Sequence, residues 1–295
     1  MGELRLSLIE NARDFVLEAV KYTKAGTPRD WKYALLNLAA GLEIMMKALL
    51  DREHWTLVFQ DVDDASRERL ESGEFKSVDF PTAVKRLATL TETPISENDR
   101  AYMDKIRRLR NRMLHFDVKL TEAQAKAVLA QGLSVFGDLH EHVDQGAGQD
   151  DFLGLMRREL AVFQEFISVR LAKVRPQLKG AERPARRFRE CPDCLQATLV
   201  VNEDEVDCLF CGSHFGPAEL AAMSDGDGGP CPECEIGTLA FVLYNNEEGE
   251  FICVLCGRKF AQSHNRECER CGEQFWSTDG MLICEECFTR LAEKD

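Results

Sequence analysis

The first 190 residues of this 295-residue chain contain no cysteine, and all twelve cysteines follow them. Long apolar runs are also absent, because no stretch approaches the roughly 18 consecutive apolar residues of a membrane span. Charged residues interrupt the N-terminal segment, where a signal peptide would need an apolar core. We therefore expect a cytoplasmic protein without a membrane partner. Disulfide bonds are rare in that compartment, which argues against a disulfide scaffold.

Basic residues are scarce in the last third of the chain. From Cys191 onward, 21 Asp and Glu residues stand against 6 Lys and Arg, a net charge of −15. Residues 1–190 hold 30 acidic and 31 basic residues. Recognition of a nucleic-acid backbone depends on Lys and Arg that neutralise phosphates. The acidic segment therefore predicts a structural or protein-interaction module that binds a protein partner, rather than a nucleic-acid-binding one.

What this acidic segment does contain is cysteine at a regular spacing. The twelve cysteines form six Cys-x-x-Cys pairs: Cys191 and Cys194, Cys208 and Cys211, Cys231 and Cys234, Cys253 and Cys256, Cys268 and Cys271, and Cys284 and Cys287. Two such pairs, called knuckles, supply the four thiolates that a tetrahedral zinc ion binds at about 2.3 Å. Six knuckles therefore predict three structural zinc ions, each held by four cysteines.

The residues between the knuckles favour sequential pairing, first with second, third with fourth, and fifth with sixth. Each such pair brackets two β-prone runs around a polar turn, at 202–205, 245–250 and 277–280. This pattern resembles the zinc ribbon, in which a hairpin carries one knuckle at each end. Glycines after Cys211, Cys256 and Cys271 suit knuckle turns that need a positive φ. A cross-braced arrangement, as in RING or LIM modules, is the alternative. The three predicted ribbons span residues 191–216, 229–260 and 266–291.

Residues 1–175 predict an all-α helical bundle, because apolar residues recur there at steps of three and four. The predicted helices span about 3–24, 29–53, 81–90, 97–115, 121–143 and 150–175. The second helix is apolar on most of its faces, so we expect it to lie at the centre of the bundle. Residues 176–190 contain two prolines and five basic residues, which predicts a solvated linker. Its Arg186-Arg-Phe-Arg189 run could alternatively touch nucleic acid.

The candidate catalytic residues are Arg110, Asn111 and His115, near the end of the predicted helix 97–115. An imidazole titrates near neutral pH and can act as an acid or a base. A guanidinium binds phosphate oxygens through two N–H groups and can stabilise the transition state of phosphoryl transfer. Together they have the chemistry needed to cleave RNA without a metal ion.

The sequence Arg110-Asn-Arg-Met-Leu-His115 matches the Arg-x(4–6)-His motif of HEPN domains. The preceding helix carries Glu43 and Lys47, where that family commonly has an acidic residue and a lysine. The resemblance covers about residues 5–145. It implies an all-α bundle that forms a homodimer, often as a metal-independent endoribonuclease in toxin or antiviral defence systems. By this resemblance, Arg110 would stabilise the scissile phosphate of an RNA substrate, His115 would act in acid–base chemistry, and Asn111 would orient them.

Two readings without catalysis are also open. His115 and its neighbouring arginines would stabilise a helix C-terminus through the helix dipole whether or not they are catalytic. Glu43 could equally be a solvated residue of its helix. In that case the protein would be a dimeric adaptor or scaffold whose acidic ribbons bind a protein partner.

Overall fold

A computed structural model describes residues 5–91, 93, 95–143, 151–223, 226–244, 248–277 and 280–292 of the chain. The chain divides into two compact units, Met1–Lys173 and Val174–Asp295. The first unit is helical, whereas the second holds small antiparallel sheets and the cysteines.

The helical part of the chain agrees with the predicted all-α class. Its α-helices are α1 (Leu8–Ala25), α2 (Pro28–Glu53), α3 (Arg67–Ser72), α4 (Phe80–Leu90), α5 (Glu97–His115), α6 (Glu122–Val143), α7 (Phe152–Glu159) and α8 (Gln164–Gly180). A 3₁₀ turn at Trp55–Val58 follows α2. Of the first predicted helix, residues 3 and 4 lie outside the described residues.

Helix α2 lies at the centre of the helical unit, as the apolar residues on most of its faces predict. It packs against α1, α4, α5 and α6. Its side chains Leu38, Leu42, Met45 and Met46 have no exposed surface. Among the described helices it alone has the length and apolar composition of a membrane span. Most of that apolar window is buried inside the unit, as in the core helix of a bundle.

Local capping signals determine where several helices begin. Thr27 and Asp30 form a capping box at the start of α2, with Pro28 in its first turn. The side chain of Ser96 accepts a hydrogen bond from Asp99 N at 3.1 Å, and α5 begins at the next residue. The predicted helix 97–115, which carries the candidate catalytic residues, is therefore confirmed.

The single helix predicted over residues 150–175 is wrong, because the chain turns between α7 and α8. Leu160 N donates to Met156 O at 3.1 Å, and Phe163 N donates to Leu160 O at 2.9 Å. Both side chains are buried, and Phe163 stacks on Trp31 with ring centroids 6.3 Å apart. Burial of these two side chains favours the turn over a continuous helix. Helix α8 then continues past Pro176 to Gly180.

Over its described residues, the cysteine-containing unit forms three small antiparallel sheets. The first is β1 (Leu199–Asn202), β2 (Glu205–Cys208) and β3 (His214–Phe215), in that order, followed by α9 (Pro217–Ala222). The second is β4 (Gly226–Pro230), β5 (Thr238–Tyr244), β6 (Glu248–Cys253) and β7 (Lys259–Ala261), also in that order. The third pairs β8 (Asn265–Glu267) with β9 (Gln274–Trp276), and α10 (Glu285–Ala292) follows it.

The first two predicted hairpins are present. Leu199 pairs with Cys208 in one, and Leu239 pairs with Cys253 in the other. Residues 245–247 of the second predicted turn, and 278–279 of the third, lie outside the described residues.

The third predicted hairpin is wrong. Strand β9 pairs with β8, which precedes the fifth knuckle, and residues 281–284 form no strand. The Trp276 indole donates from Nε1 to Gly228 O at 3.0 Å, and its ring lies 4.8 Å from that of Phe251. These contacts with the second sheet hold β9 in place, a long-range effect that local β-propensity does not reveal.

The predicted solvated linker is also corrected in part. Residues 176–180 belong to α8, and a 3₁₀ turn forms at Arg186–Phe188. Ala185 N donates to Val254 O at 2.8 Å, and Pro184 is buried. The segment after α8 therefore packs against the second sheet instead of extending into solvent.

Candidate metal centres and candidate Arg/His site

The twelve cysteines gather into three groups of four, each made of two knuckles adjacent in sequence. The groups are Cys191, Cys194, Cys208 and Cys211; Cys231, Cys234, Cys253 and Cys256; and Cys268, Cys271, Cys284 and Cys287. Within each group, all sulfur atoms lie within 4.8 Å of one another. The sequential pairing is thus the one that the structure shows, and the cross-braced alternative is excluded.

The distances between sulfur atoms suit a tetrahedral metal ion. Pairs of Sγ atoms from opposite knuckles are 3.7 Å and 3.6 Å apart in the first group, 3.9 Å and 3.7 Å in the second, and 3.7 Å in the third. Four sulfurs at about 2.3 Å from a central zinc would be separated by about 3.8 Å along each tetrahedral edge. Each group could therefore hold one metal ion, with all four ligands from cysteine.

The knuckle backbone is shaped to point N–H groups at sulfur. In five of the six knuckles, a residue with left-handed backbone follows the second cysteine: Leu195 (φ 59°), Gly212 (φ 84°), Glu235 (φ 62°), Gly257 (φ 72°) and Gly272 (φ 77°). The three glycines are those for which the sequence predicts a positive φ. Donors reach sulfur from Cys211 N to Cys208 Sγ at 3.5 Å, and from Cys256 N to Cys253 Sγ at 3.4 Å.

The close sulfur atoms divide the thiol pKa values of a group, because a hydrogen bond that favours the thiolate of one cysteine favours the thiol of its partner. In the first group the pKa values of Cys191 and Cys194 are raised. The thiolate is the form that binds metal. Hydrogen bonds with Cys191 and Cys194 lower the pKa of Cys208, and they lower the pKa of Cys211 to about 6. In the third group, burial raises the pKa of Cys268, but N–H donors of Cys284 and Cys271 outweigh it and lower the pKa to about 6.

The candidate catalytic residues lie along the C-terminal half of α5. Arg110 is exposed and donates from Nη1 to Asn111 Oδ1 at 3.1 Å. Asn111 is half-buried. His115 is the last residue of α5 and is exposed, one helical turn or about 6 Å beyond Asn111. Arg110 and Asn111 are thus brought together by a hydrogen bond, and His115 follows them along the axis.

A cavity of about 290 Å³ lies beside these residues, between α2, α4 and α5. It is lined by Ala39, Glu43, Asp79, Phe80, Pro81, Arg107, Arg110 and Asn111. Two of the three candidate catalytic residues therefore face the same space as Glu43 of the central helix. His115 does not line this cavity, and its imidazole is on the open surface beyond it.

Charge in the cavity is unevenly compensated. Arg107 donates to Asp104 Oδ1 at 2.7 Å, and Arg108 pairs with the same carboxylate at 2.5 Å. Hydrogen bonding from Arg107 lowers the pKa of Asp104. Within the described part of the chain, Arg110 forms no ion pair. Of the two cations that line the cavity, Arg110 is therefore the one more available to an anion.

The acidic side of the cavity is held in place by local contacts. Glu43 accepts from Lys47 Nζ at 2.8 Å, and Lys47 also donates to Ser77 Oγ at 3.1 Å. Asp79 caps α4 by accepting from Thr82 N at 2.9 Å, and hydrogen bonds from the side chain and the backbone of Thr82 lower the pKa of Asp79. Sequence reasoning missed Asp79 and Phe80 as lining residues, although an Asp before Pro81 is a recognisable capping signal.

A further group that sequence reasoning did not identify lies on the first sheet. His214 Nδ1 is 2.7 Å from Asp207 Oδ1, and the Glu205 carboxylate is within 4.8 Å of both. These side chains are partly or fully exposed, and the His–Asp contact accounts for their arrangement.

Comparison of this chain with protein families, with curated proteins and with solved structures found no match.

Proposed function

We propose that the helical unit is a metal-independent endoribonuclease of the HEPN type, acting in the cytoplasm in a toxin or antiviral defence system. The observation that carries this proposal is the shared cavity. Arg110 and Asn111, which the motif selects, face the same 290 Å³ space as Glu43, which the preceding helix contributes. Residues separated by more than 60 positions in the chain therefore meet in one place.

The cleavage reaction uses the two functions that this helix offers. An imidazole takes the proton of the ribose 2′-hydroxyl as the 2′-oxygen attacks phosphorus, and His115 is the candidate base. The bond from phosphorus to the 5′-oxygen breaks, and that oxygen takes up a proton. The products are a 2′,3′-cyclic phosphate and a 5′-hydroxyl. The Arg110 guanidinium stabilises the negative charge that develops on the phosphate oxygens.

A homodimer through the helical unit is part of this proposal. Leu114 and Phe116, on either side of His115, are 52% and 76% exposed. Apolar side chains of this size are depleted from free surfaces and enriched where chains meet. A second protomer against this end of α5 would cover them and would bring two copies of His115 close together.

We propose further that each group of four cysteines holds one structural zinc ion. All four positions of the tetrahedron are occupied by cysteine, so no open position is left for a substrate or a water. An ion with four thiolate ligands stabilises a small domain and does not catalyse hydrolysis. The ribbons would thus be a folded module beside the ribonuclease.

The test of catalysis is cleavage of end-labelled single-stranded RNA and tRNA in excess EDTA, with the metal content of the protein measured alongside. We expect His115→Ala to lower the rate by about 10²- to 10⁴-fold and Arg110→Ala by about 10²- to 10³-fold. The products should carry 2′,3′-cyclic phosphate ends. Circular dichroism and sedimentation would verify that each variant is folded and dimeric.

Arg108→Ala is the matched control, because Arg108 is an exposed arginine of the same helix that pairs with Asp104 and does not line the cavity. It should retain most of the activity. Wild-type protein that is folded but cuts neither RNA, or three variants that all cut like wild type, would contradict the ribonuclease proposal.

A second candidate function, the adaptor, is favoured by a groove on the cysteine-containing unit. The groove has a volume of about 850 Å³ between the second and third metal groups. Its lining includes Glu235, Glu273, Glu285, Glu286, Phe275, Met281 and Phe288, and no basic residue of the described chain. An acidic rim around exposed apolar side chains suits a basic protein segment with an aromatic or aliphatic anchor.

The adaptor proposal is tested with a fluorescent peptide rich in Lys and Arg and containing one Phe. Glu285→Lys together with Glu286→Lys should weaken binding of this peptide. An equal reversal of charge on the surface outside the groove, Glu203→Lys with Glu205→Lys, should not. Equal affinity in both double variants would exclude this groove as the binding site.

A further inference from the structure

Residues 182–189, here called the arginine strap, lie across the first two sheets of the cysteine-containing unit. Val201 N, on β1, donates to Glu182 O at 2.8 Å. Ala185 N donates to Val254 O at 2.8 Å in the second ribbon, and Phe188 N closes a turn on Ala185 O at 2.7 Å. Backbone hydrogen bonds at both ends therefore define the path of the strap.

Two arginines of the strap use their guanidinium groups to hold this path. Arg183 donates from Nη2 to Ala197 O at 2.9 Å and from Nε to Leu199 O. Arg189 donates from Nε to Pro184 O at 3.2 Å. All of these acceptors are neutral carbonyl oxygens, so the positive charges of the two side chains are not neutralised by the contacts that fix them.

Between the strap and the second ribbon lies a groove of about 710 Å³, here called the basic groove. Its cations are Arg183, Arg186, Arg187, Arg189 and Lys259. Its apolar lining includes Pro184, Ile252 and Leu255. No Asp or Glu of the described chain lines it. Lys259 pairs with Glu250, which leaves four arginine charges without a carboxylate in the lining.

Arg186 and Arg187 are the two side chains most available to a ligand. Both are exposed. Within the part of the chain that the structure describes, neither forms an ion pair or a side-chain hydrogen bond. Their position is set by the 3₁₀ turn Arg186–Phe188, so that folding of the strap places them at the groove without using their donors.

The acidic character of the unit does not cancel this local charge. From Cys191 onward the net charge is −15, which on its own predicts repulsion of a polyanion. However, exposed charges farther apart than about 8 Å are largely screened at physiological ionic strength. An anion inside the groove interacts mainly with the four arginines that line it. Cys256 of the second cysteine group also lines the groove, and a zinc ion with four thiolates there would offset part of the positive charge. The surrounding carboxylates reduce the rate at which long polyanions approach.

We propose that the basic groove binds the phosphate backbone of single-stranded RNA. Arginine is the side chain best suited to phosphate, because its planar guanidinium donates two parallel hydrogen bonds to the oxygens. Phe188 lies between Arg187 and Arg189 in the chain and is half-buried, so part of its side chain is available to an unpaired base. Stacking on aromatic side chains is how single strands are commonly bound. The proposal deepens the ribonuclease function, on which it rests for the identity of the ligand, by adding a second contact to the substrate.

The test measures binding apart from cleavage, with the full-length metal-loaded protein. The probe is a fluorescent 12-nucleotide 2′-O-methyl RNA, which has no free 2′-hydroxyl and cannot be cut. We expect Arg186→Glu with Arg187→Glu to weaken binding about tenfold or more at 100 mM salt. Two lost phosphate contacts should also reduce the slope of log affinity against log salt by about 1.4.

The matched control is Arg175→Glu with Lys179→Glu, an equal change of charge at exposed residues of α8 that do not line the groove. It should bind within about twofold of wild type. If both double variants lose affinity equally, or neither loses any, the proposed site is wrong. A labelled Glu-rich 12-residue peptide is the second probe. If this peptide binds at Arg186 and Arg187 more tightly than the RNA does, the ligand is an acidic protein segment and the RNA proposal is wrong.

The two proposals fail in distinguishable ways. If the protein cuts no RNA but binds the uncleavable probe through Arg186 and Arg187, the ribonuclease proposal is wrong and the basic-groove proposal stands. If the protein cuts RNA through His115, but wild type and the Arg186→Glu, Arg187→Glu variant bind the probe equally well, the ribonuclease proposal stands and the basic-groove proposal is wrong.

Discussion

At the scale of single residues, two glycines on α6 show how closely the helical unit is packed. A Cβ atom added at Gly132 would lie 2.6 Å from Ile106 Cδ1 on α5 and 2.7 Å from Leu38 Cδ2 on α2. A Cβ added at Gly137 would lie 3.7 Å from Met156 Cε, an ordinary contact distance. Gly132 is thus needed for close approach of the helices, whereas Gly137 has room for a methyl group.

We expect Gly132→Ala to be less stable than Gly137→Ala by about 1–3 kcal/mol in free energy of unfolding, the usual cost of overpacking a core. Both variants gain about 1 kcal/mol of helix propensity, so the difference between them isolates the packing term. Urea unfolding followed at 222 nm measures it. Two variants of equal stability would show that α5 and α2 can separate at Gly132 without cost.

Packing at Gly132 also matters for the candidate site, because Ile106 lies one turn before Arg110 on α5. The sequence predicts both bounds of α5, with Ser96 as its N-cap, and so predicts that Arg110, Asn111 and His115 lie on this helix. It does not predict which residues of other helices face them. Capping and periodicity are local, whereas the neighbours of α5 depend on how α2, α4 and α6 pack.

At the scale of secondary-structure elements, the three cysteine groups are built in two different ways. In the first two, β1–β2 and β5–β6 are hairpins that bring adjacent knuckles together. In the third, Cys287 lies on α10, and Cys284 N donates to Cys268 Sγ at 3.3 Å. The cysteine spacing is the same in all three, so spacing predicts the ligands but not the element that carries them.

Each metal group should lose its ion independently. Cys253→Ser should reduce bound zinc from three ions to two per chain, because a serine hydroxyl does not supply a thiolate at neutral pH. Ser213→Ala is the control, since it removes a hydroxyl 3.2 Å from Cys211 Sγ but leaves all twelve cysteines. Elemental analysis by mass spectrometry would count the ions. A Cys253→Ser protein that still holds three would argue against a four-cysteine site there.

At the scale of the whole molecule, cysteine content and charge divide the chain in the same place. The unit Met1–Lys173 contains no cysteine and has its own core, with α2 at its centre. The unit Val174–Asp295 has short strands and small helices, and buried cysteines form part of its interior. Small domains of this kind commonly depend on bound metal for folding.

Chelation should therefore unfold one unit and leave the other folded. Arg258 and Arg270 are exposed in the folded unit, but trypsin cleaves a folded backbone slowly. Treatment with a strong zinc chelator should speed cleavage after these two residues, while peptide bonds within α1 to α6 stay protected. Limited proteolysis read by mass spectrometry would follow both sets of fragments. Cleavage of the two units at the same rate would contradict the proposal that metal stabilises only the cysteine-containing unit.

The amino-acid sequence by itself determined the helical class of the first unit, the bounds of α5, the central position of α2 and the sequential grouping of the twelve cysteines. All of these depend on residues close together in the chain, through apolar periodicity, helix caps and knuckle turns. Only the tertiary structure decided that Glu43 shares a cavity with Arg110, that β9 pairs with β8, and that the arginine strap borders a basic groove. Glu43 and Arg110 are far apart in sequence, as are the strap and the second ribbon. Strands β8 and β9 are close in sequence, but β9 is held by contacts of Trp276 with the distant Gly228 and Phe251. These contacts depend on the burial and hydrogen bonds of the folded chain, which no local pattern contains.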